Sequence, residues 1–345
     1  MEKTVETSYN ELCLTAKQMH EDLQLSLAQL GQLILSSVTL LLLIFSVWTF
    51  KRNKFALHYN FMLLITNIII LYVLHSVTLI AIELRYQIPV IFNYDPCDLL
   101  SPTWMNVLFR LPCYVYTTAY VLFHFALTTE RARATIFAKR YEREGSNYAV
   151  FSMVIVWILT AVINGFMLIL AWNDPKFHKP TLHIVLTTDS NSTYLIFTHF
   201  FFVTVIIITA ILDYFLLYTN RKNKSKTEDY SLSRSYQINE NIIVMKLIWP
   251  LDVCFAIVFA VYLIGTGYLR FIRERITVAH FVANYEVIYM ILPMHSIVVL
   301  LFYLHFVKRN KSRASSVAVE PGDPTQLHFE QLESQWTATQ KRKSR

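Results

Sequence analysis

Nineteen consecutive residues, Leu111 to Thr129, carry no formal charge and are bounded by Arg110 on one side and Glu130-Arg131 on the other. A helix rises about 1.5 Å per residue, so a run of this length reaches roughly across the hydrocarbon core of a bilayer. In hydrocarbon the backbone polar groups must be satisfied within the segment, which leaves an α-helix for a single run this long. Arg110, Tyr114, Thr117, Val121, His124, Thr128 and Arg131 follow one another at alternating steps of four and three, so they share one helical face. All but Val121 are polar. The positions between them are mainly Leu, Val, Phe, Ala and Tyr. The expectation is a helix with an apolar side toward lipid and a polar side toward other helices or a cavity.

The same signal recurs along the chain. Further spans are expected at Leu23 to Phe50 (closed by Lys51-Arg52), Phe55 to Ile82 (closed by Glu83) and Ser146 to Asn173. Three more follow at Ser190 to Asn220, Asn241 to Ile264 and Val287 to Val307. The sixth span carries Lys246, Pro250 and Asp252 inside it. With 54% hydrophobic residues, 16% charged residues and six glycines in 345, the composition excludes an ordinary soluble enzyme. The fold class expected is all-α, a membrane protein built as a seven-transmembrane helix bundle over residues 25–309. Residues 1–24 form a polar N-terminal segment and 310–345 a disordered tail.

Seven spans put the two termini on opposite sides. With the N-terminus outside, the inner segments hold twenty-one Lys and Arg and the outer segments nine, so the positive-inside rule favours that orientation in the plasma membrane. The net charge of +7 lies in short basic clusters beside apolar runs, a placement suited to anionic membrane lipid and not to nucleic acid. Met1 to Asp22 lacks a basic start and an early apolar core, so no cleavable leader is expected.

Of the four cysteines, Cys13 and Cys97 fall in segments assigned to the oxidising exterior and form the candidate disulfide. Cys113 is a second candidate partner for Cys97, and Cys254 reads as a small buried residue. Asn191-Ser192-Thr193, in the outer segment before the fifth span, is the candidate glycosylation site, although Asn223-Lys224-Ser225 and Asn310-Lys311-Ser312 match the motif equally well on the inner side.

No enzyme constellation, metal-ligand spacing or cofactor motif is present. Two acids and two histidines at similar depths stand out inside spans: His124 and Asp213 on the third and fifth, Asp252 and His295 on the sixth and seventh. They read as two acid–histidine pairs, Asp252 with His295 and His124 with Asp213, because an unpaired charge in hydrocarbon is costly. Pro250 and Pro293 are candidate hinges. The segment from Arg221 to Glu240 reads as a basic, polar loop. After Lys308 the chain is rich in Ser, Thr and basic residues, and without a cysteine beyond Cys254 no lipid anchor on the tail is expected.

Two motifs carry a family resemblance. Glu130-Arg131-Ala132-Arg133-Ala134-Thr135 followed by Tyr141-Glu142 is the first. Ser231-Leu232-Ser233 with Tyr236-Gln237 and Glu240-Asn241, leading into the sixth span, is the second. In this order they resemble the nematode serpentine chemoreceptors of the class a superfamily, class ab or class a in particular. The resemblance implies a GPCR-like receptor of chemosensory cilia, serving sensory perception of chemical stimuli. It would bind a small-molecule ligand and signal to a heterotrimeric G protein, with an arrestin-like partner for a phosphorylated tail. On that reading Arg110, Tyr114, Thr117, His124, Asp213, Asp252 and His295 are ligand-cavity or switch residues, and Glu130 and Arg131 form the coupling switch. The alternative class is a seven-helix ligand-gated channel or transporter, for which the opposite orientation is expected.

Overall fold

The computed structural model describes residues 12–53, 58–92, 94–95, 97, 100–137, 141, 145, 147–180, 183, 186–226, 232–272 and 275–317. A short helix over 12–20 precedes α1 (Leu23–Asn53), α2 (Tyr59–Phe92), α3 (Thr103–Ile136), α4 (Asn147–Trp172), α5 (Asp189–Lys226) and α6 (Leu232–Ile272). The seventh span is made of two helices, α7 (Val278–Tyr289) and α8 (Ile291–Val317). By contact the chain divides into two units, Met1–Phe302, which contains the helix bundle, and Tyr303–Arg345, described as far as 317. The chain is a multi-pass, all-helical membrane protein. Six spans, α1, α2, α4, α5, α6 and α7–α8, are each long and apolar enough to cross a bilayer unaided.

The remaining span is α3, and its low apolarity follows from its position. It contacts α2, α4, α5 and α6. Seventeen of its 34 residues are buried, against six of 26 in α4. Tyr116 through Val121 are six consecutive buried residues, more than one full turn, so mid-membrane α3 is covered on every side. The expected lipid-facing side is therefore absent there. A helix that meets only protein can carry polar side chains wherever they find partners.

Several helices outrun the sequence expectation because a charge does not end a helix whose next turn is still buried. Glu83 was expected to close the second span; α2 continues to Phe92, with Glu83 only 1% exposed. The expected loop from Arg221 to Glu240 is largely helical, since α5 runs to Lys226 and α6 begins at Leu232. Likewise the seventh span begins at Val278, so Glu286 lies inside it. The expected tail is helical as far as Val317, and its remainder lies outside the described residues.

The seventh span breaks at Met290, three residues before Pro293. Proline supplies no N–H to the carbonyl four residues earlier and its ring crowds that carbonyl, here Tyr289. Opposite the break sits Gly31 of α1, where an added Cβ would lie 2.6 Å from Met290 Cε. By contrast α6 runs through Pro250 without interruption.

At one end of the bundle Cys13 and Cys97 form a disulfide, Cα atoms 5.0 Å apart, tying the N-terminal helix to the segment after α2. Cys113 is free and buried, and Cys254 is free but only half-buried. A small cluster of Met19, Leu25, Ala279, Val282 and Ala283 packs α1 and α7 together with the N-terminal helix at this end. The α4–α5 connection folds Phe177 and Leu186 onto Met167, Ala171 and Leu195. The start of α5 is closed by a reciprocal cap. Asn191 N–H donates to Thr188 Oγ1 at 3.3 Å, and Thr188 N–H to Asn191 Oδ1 at 2.8 Å. The Asn191 amide also donates to the Leu186 carbonyl at 2.8 Å, and the residue is fully buried. In this arrangement the candidate acceptor nitrogen of Asn191 is engaged inside the fold.

Candidate functional site

Three polar clusters lie along α3. At the disulfide end, Arg110 is 1% exposed, with its guanidinium 4.7 Å from the Tyr289 ring and 5.6 Å from the Tyr285 ring. Its nearest acid is Glu286, at 3.6 Å. Glu286 in turn accepts from Gln32 Nε2 at 2.6 Å and lies 2.9 Å from His183 Nε2. Gln32 also donates to the Glu286 carbonyl at 2.9 Å, fixing α1 to α7 beside the helix break. Tyr114 is half-buried and exchanges a hydrogen bond with Thr187, 2.8 Å between hydroxyls.

The second cluster lies mid-membrane. His124 Nδ1 pairs with Asp252 Oδ1, linking α3 to α6, and Thr128 donates to Asp213 Oδ1 at 2.8 Å, linking α3 to α5. The expected pairing of Asp252 with His295 is therefore corrected. His295 sits instead among rings, 5.1 Å from Phe255 and 6.1 Å from Tyr120. Thr117 points into its own helix and donates to the Cys113 carbonyl at 2.8 Å. His75, Tyr72 and Tyr116 also belong here. His75 stacks on Tyr116 at 4.0 Å and contacts the Tyr289 hydroxyl at 3.2 Å, while Tyr72 and Tyr120 share a hydrogen bond at 2.9 Å. Their signal in the sequence was faint, since a tyrosine within an apolar run reads equally well as core.

At the opposite end Arg131 is fully buried. Its Nη2 donates to Glu130 at 2.7 Å, its Nη1 to Asn241 Oδ1 at 2.9 Å, and Glu240 stands 3.6 Å away. The Phe61 ring of α2 covers the guanidinium at 5.0 Å. Tyr141 donates to Glu130, and burial together with that carboxylate raises the pKa of its hydroxyl, which keeps it a donor. Thr135 joins this network through Asn220 at 2.8 Å and Asn241 at 3.3 Å. Both sequence motifs thus converge: Glu130, Arg131, Thr135 and Tyr141 of the first meet Glu240 and Asn241 of the second. Glu142, Ser231 and the side chains of Ser233 and Tyr236 lie outside what is described.

Chemically, these clusters join helices through charge-assisted hydrogen bonds that have discrete made and broken states. Among the described residues no three His, Cys, Asp or Glu side chains are placed to hold a metal ion. The family profile described as serpentine type 7TM GPCR receptor class ab chemoreceptor matches residues 10–337. The chain belongs to this family. Its similarity to individual members is modest. It is 22% identical over 245 residues to serpentine receptor class beta-17 of Caenorhabditis elegans, covering 68% of this chain and 64% of that receptor, just under two thirds of its length. Serpentine receptor class beta-6 is 25% identical over 70% of this chain and 72% of its own. Serpentine receptor class alpha/beta-14 is 25% identical over 59% and 53%; both are from the same nematode. The family is of receptor type, GPCR-like and chemosensory.

Proposed function

We propose that this chain is a chemosensory G-protein-coupled receptor of the plasma membrane, carried on a sensory cilium with its N-terminus outside. It binds a small molecule at the disulfide end, and residues at the Arg131 end engage a heterotrimeric G protein. The observation that carries the reading is the burial of Arg131, held by Glu130 of its own helix and by Asn241 of α6. A guanidinium so enclosed offers nothing to a partner until α6 moves away from α3. A ligand that favours the separated arrangement then shifts the equilibrium toward coupling.

The orientation is supported by the basic bias of the inner segments and by the disulfide, a bond of oxidising compartments, at the end assigned to the exterior. Residues 1–24 are then extracellular, 25–309 the receptor domain and 310–345 the cytoplasmic part. The serines and threonines of that part offer phosphorylation sites for an arrestin-like partner, and its basic residues attract anionic lipid.

The test uses epitope tags before Met1 and after Arg345 on intact and permeabilised cells, with nucleotide exchange by co-expressed G protein as the second readout. An accessible N-terminus and loss of exchange in Arg131→Ala at unchanged surface level are expected. An accessible C-terminus in intact cells moves a channel to the front, and full exchange by Arg131→Ala removes the coupling role.

A further inference from the structure

Both oxygens of Glu286 have neighbours: one accepts from Gln32, and the other faces His183 and, at longer range, Arg110. Arg110 is left with Nη1 and Nη2 that donate no hydrogen bond to any described residue, although the residue is 1% exposed. Tyr285 and Tyr289 hold the guanidinium by packing against it, so its orientation does not depend on acceptors. Glu83 of α2 is equally buried, with an Oε2 that accepts nothing from the described residues. One turn on from Glu83, the Tyr86 ring stacks near His183, which closes the cluster from the α4–α5 connection. A fixed guanidinium with two donors to spare therefore shares the bundle interior with a carboxylate that has an acceptor to spare.

Burying such groups unsatisfied lowers stability, and a fold selected for stability alone would close Arg110 and Glu83 onto each other. Two free guanidinium donors match the two oxygens of a carboxylate. A spare carboxylate matches an ammonium. A plain carboxylic acid would add negative charge beside Glu83 and Glu286, and a plain amine would add positive charge beside Arg110. A ligand with both groups serves both residues and adds no net charge.

We propose that the disulfide end of the bundle binds a small zwitterion of the amino-acid class, its carboxylate taken by the Arg110 fork and its ammonium by Glu83. This names the ligand class for the receptor reading and rests on it only in taking this end as the ligand-binding one.

The test is direct binding to the full-length chain purified in detergent, using ω-amino acids from glycine to 6-aminohexanoate beside the matched alkanoates and alkylamines. At least one amino acid should bind about tenfold to a hundredfold tighter than its matched acid and amine, the factor expected for one further charge-assisted hydrogen bond. Glu83→Gln should erase the preference over the alkanoate, and Arg110→Gln the preference over the alkylamine. Each variant should retain the other preference, which a misfolded variant cannot do; Arg110→Lys, which keeps the charge and loses the fork, replaces Arg110→Gln where that variant does not accumulate. The proposal is overturned if no amino acid outranks its acid and amine, or if the preference survives both substitutions. Zwitterion binding that never alters nucleotide exchange retains this site and strikes the receptor reading. Exchange driven by some other compound, with none of the amino acids outranking its matched acid and amine, retains the receptor reading and strikes this site.

Discussion

Arg131 and Asn241, 110 positions apart, meet at 2.9 Å in a site closed to solvent. Asn241 supplies the hydrogen bond from α6, with the Glu240 carboxylate beside it at 3.6 Å from the guanidinium, and the α3 half of this clasp is an arginine already neutralised by Glu130. The amide adds a directional bond without adding charge, so separating α6 from α3 exposes an ion pair that is still intact. That makes the clasp reversible, as a switch requires.

Asn241→Ala removes the amide's bonds to Arg131 and Thr135 and leaves the Glu130–Arg131 pair and the Glu240 contact in place. The lost hydrogen bond to a charged donor, about 1.5–3 kcal/mol, raises the separated fraction roughly tenfold to a hundredfold. Basal nucleotide exchange without any ligand should rise accordingly at matched surface level. Unchanged basal exchange would show that the clasp does not hold the closed state.

The mid-membrane pairing is open to a double-mutant cycle. Asp252→Asn and His124→Gln should each lower thermal stability in detergent, and the double variant should lose less than their sum, with a coupling of about 0.5–3 kcal/mol. A cycle of Asp252→Asn with His295→Gln should be additive, because those side chains are not paired. The opposite result would restore the pairing expected from the spans alone.

The Cys13–Cys97 bond closes a loop of 84 positions. Chain entropy predicts a loss of about 4.5 kcal/mol when it is removed. Cys13→Ser, Cys97→Ser and the double variant should share one lowered melting temperature. A double variant clearly less stable than either single would mean the two sulfurs act separately.

Asn191→Gln should cost about 1 kcal/mol through the cap at the start of α5. Since its amide is buried, glycosidase treatment should leave the electrophoretic mobility of the parent chain as before at this site, and the variant should run with it. A mobility shift abolished by Asn191→Gln would place that amide outside the folded bundle.

What the sequence alone determined about this protein was local in origin. Absence of charge over a membrane's thickness marked the spans, and the alternation of three and four marked the face of α3 that bears Arg110, His124 and Arg131. Both properties are written in neighbouring residues, as was the order of the two motifs that pointed to the family. Tertiary structure decided the partners. Gln32 and Glu286 are 254 positions apart, and nothing near either announces the other. Glu83 and Glu286 look like span boundaries because a charge in hydrocarbon is costly in isolation; in the bundle Glu286 meets Gln32 and His183, and Glu83 is enclosed by protein, so both lie within their spans. The same physics assigned His124 to Asp252 and left His295 among rings, since depth along a helix is legible in sequence while rotation toward one neighbour or another is set by packing. Asn191 meets the same limit: a three-residue motif carries no record of whether the fold already uses its amide, which here donates to the Leu186 carbonyl.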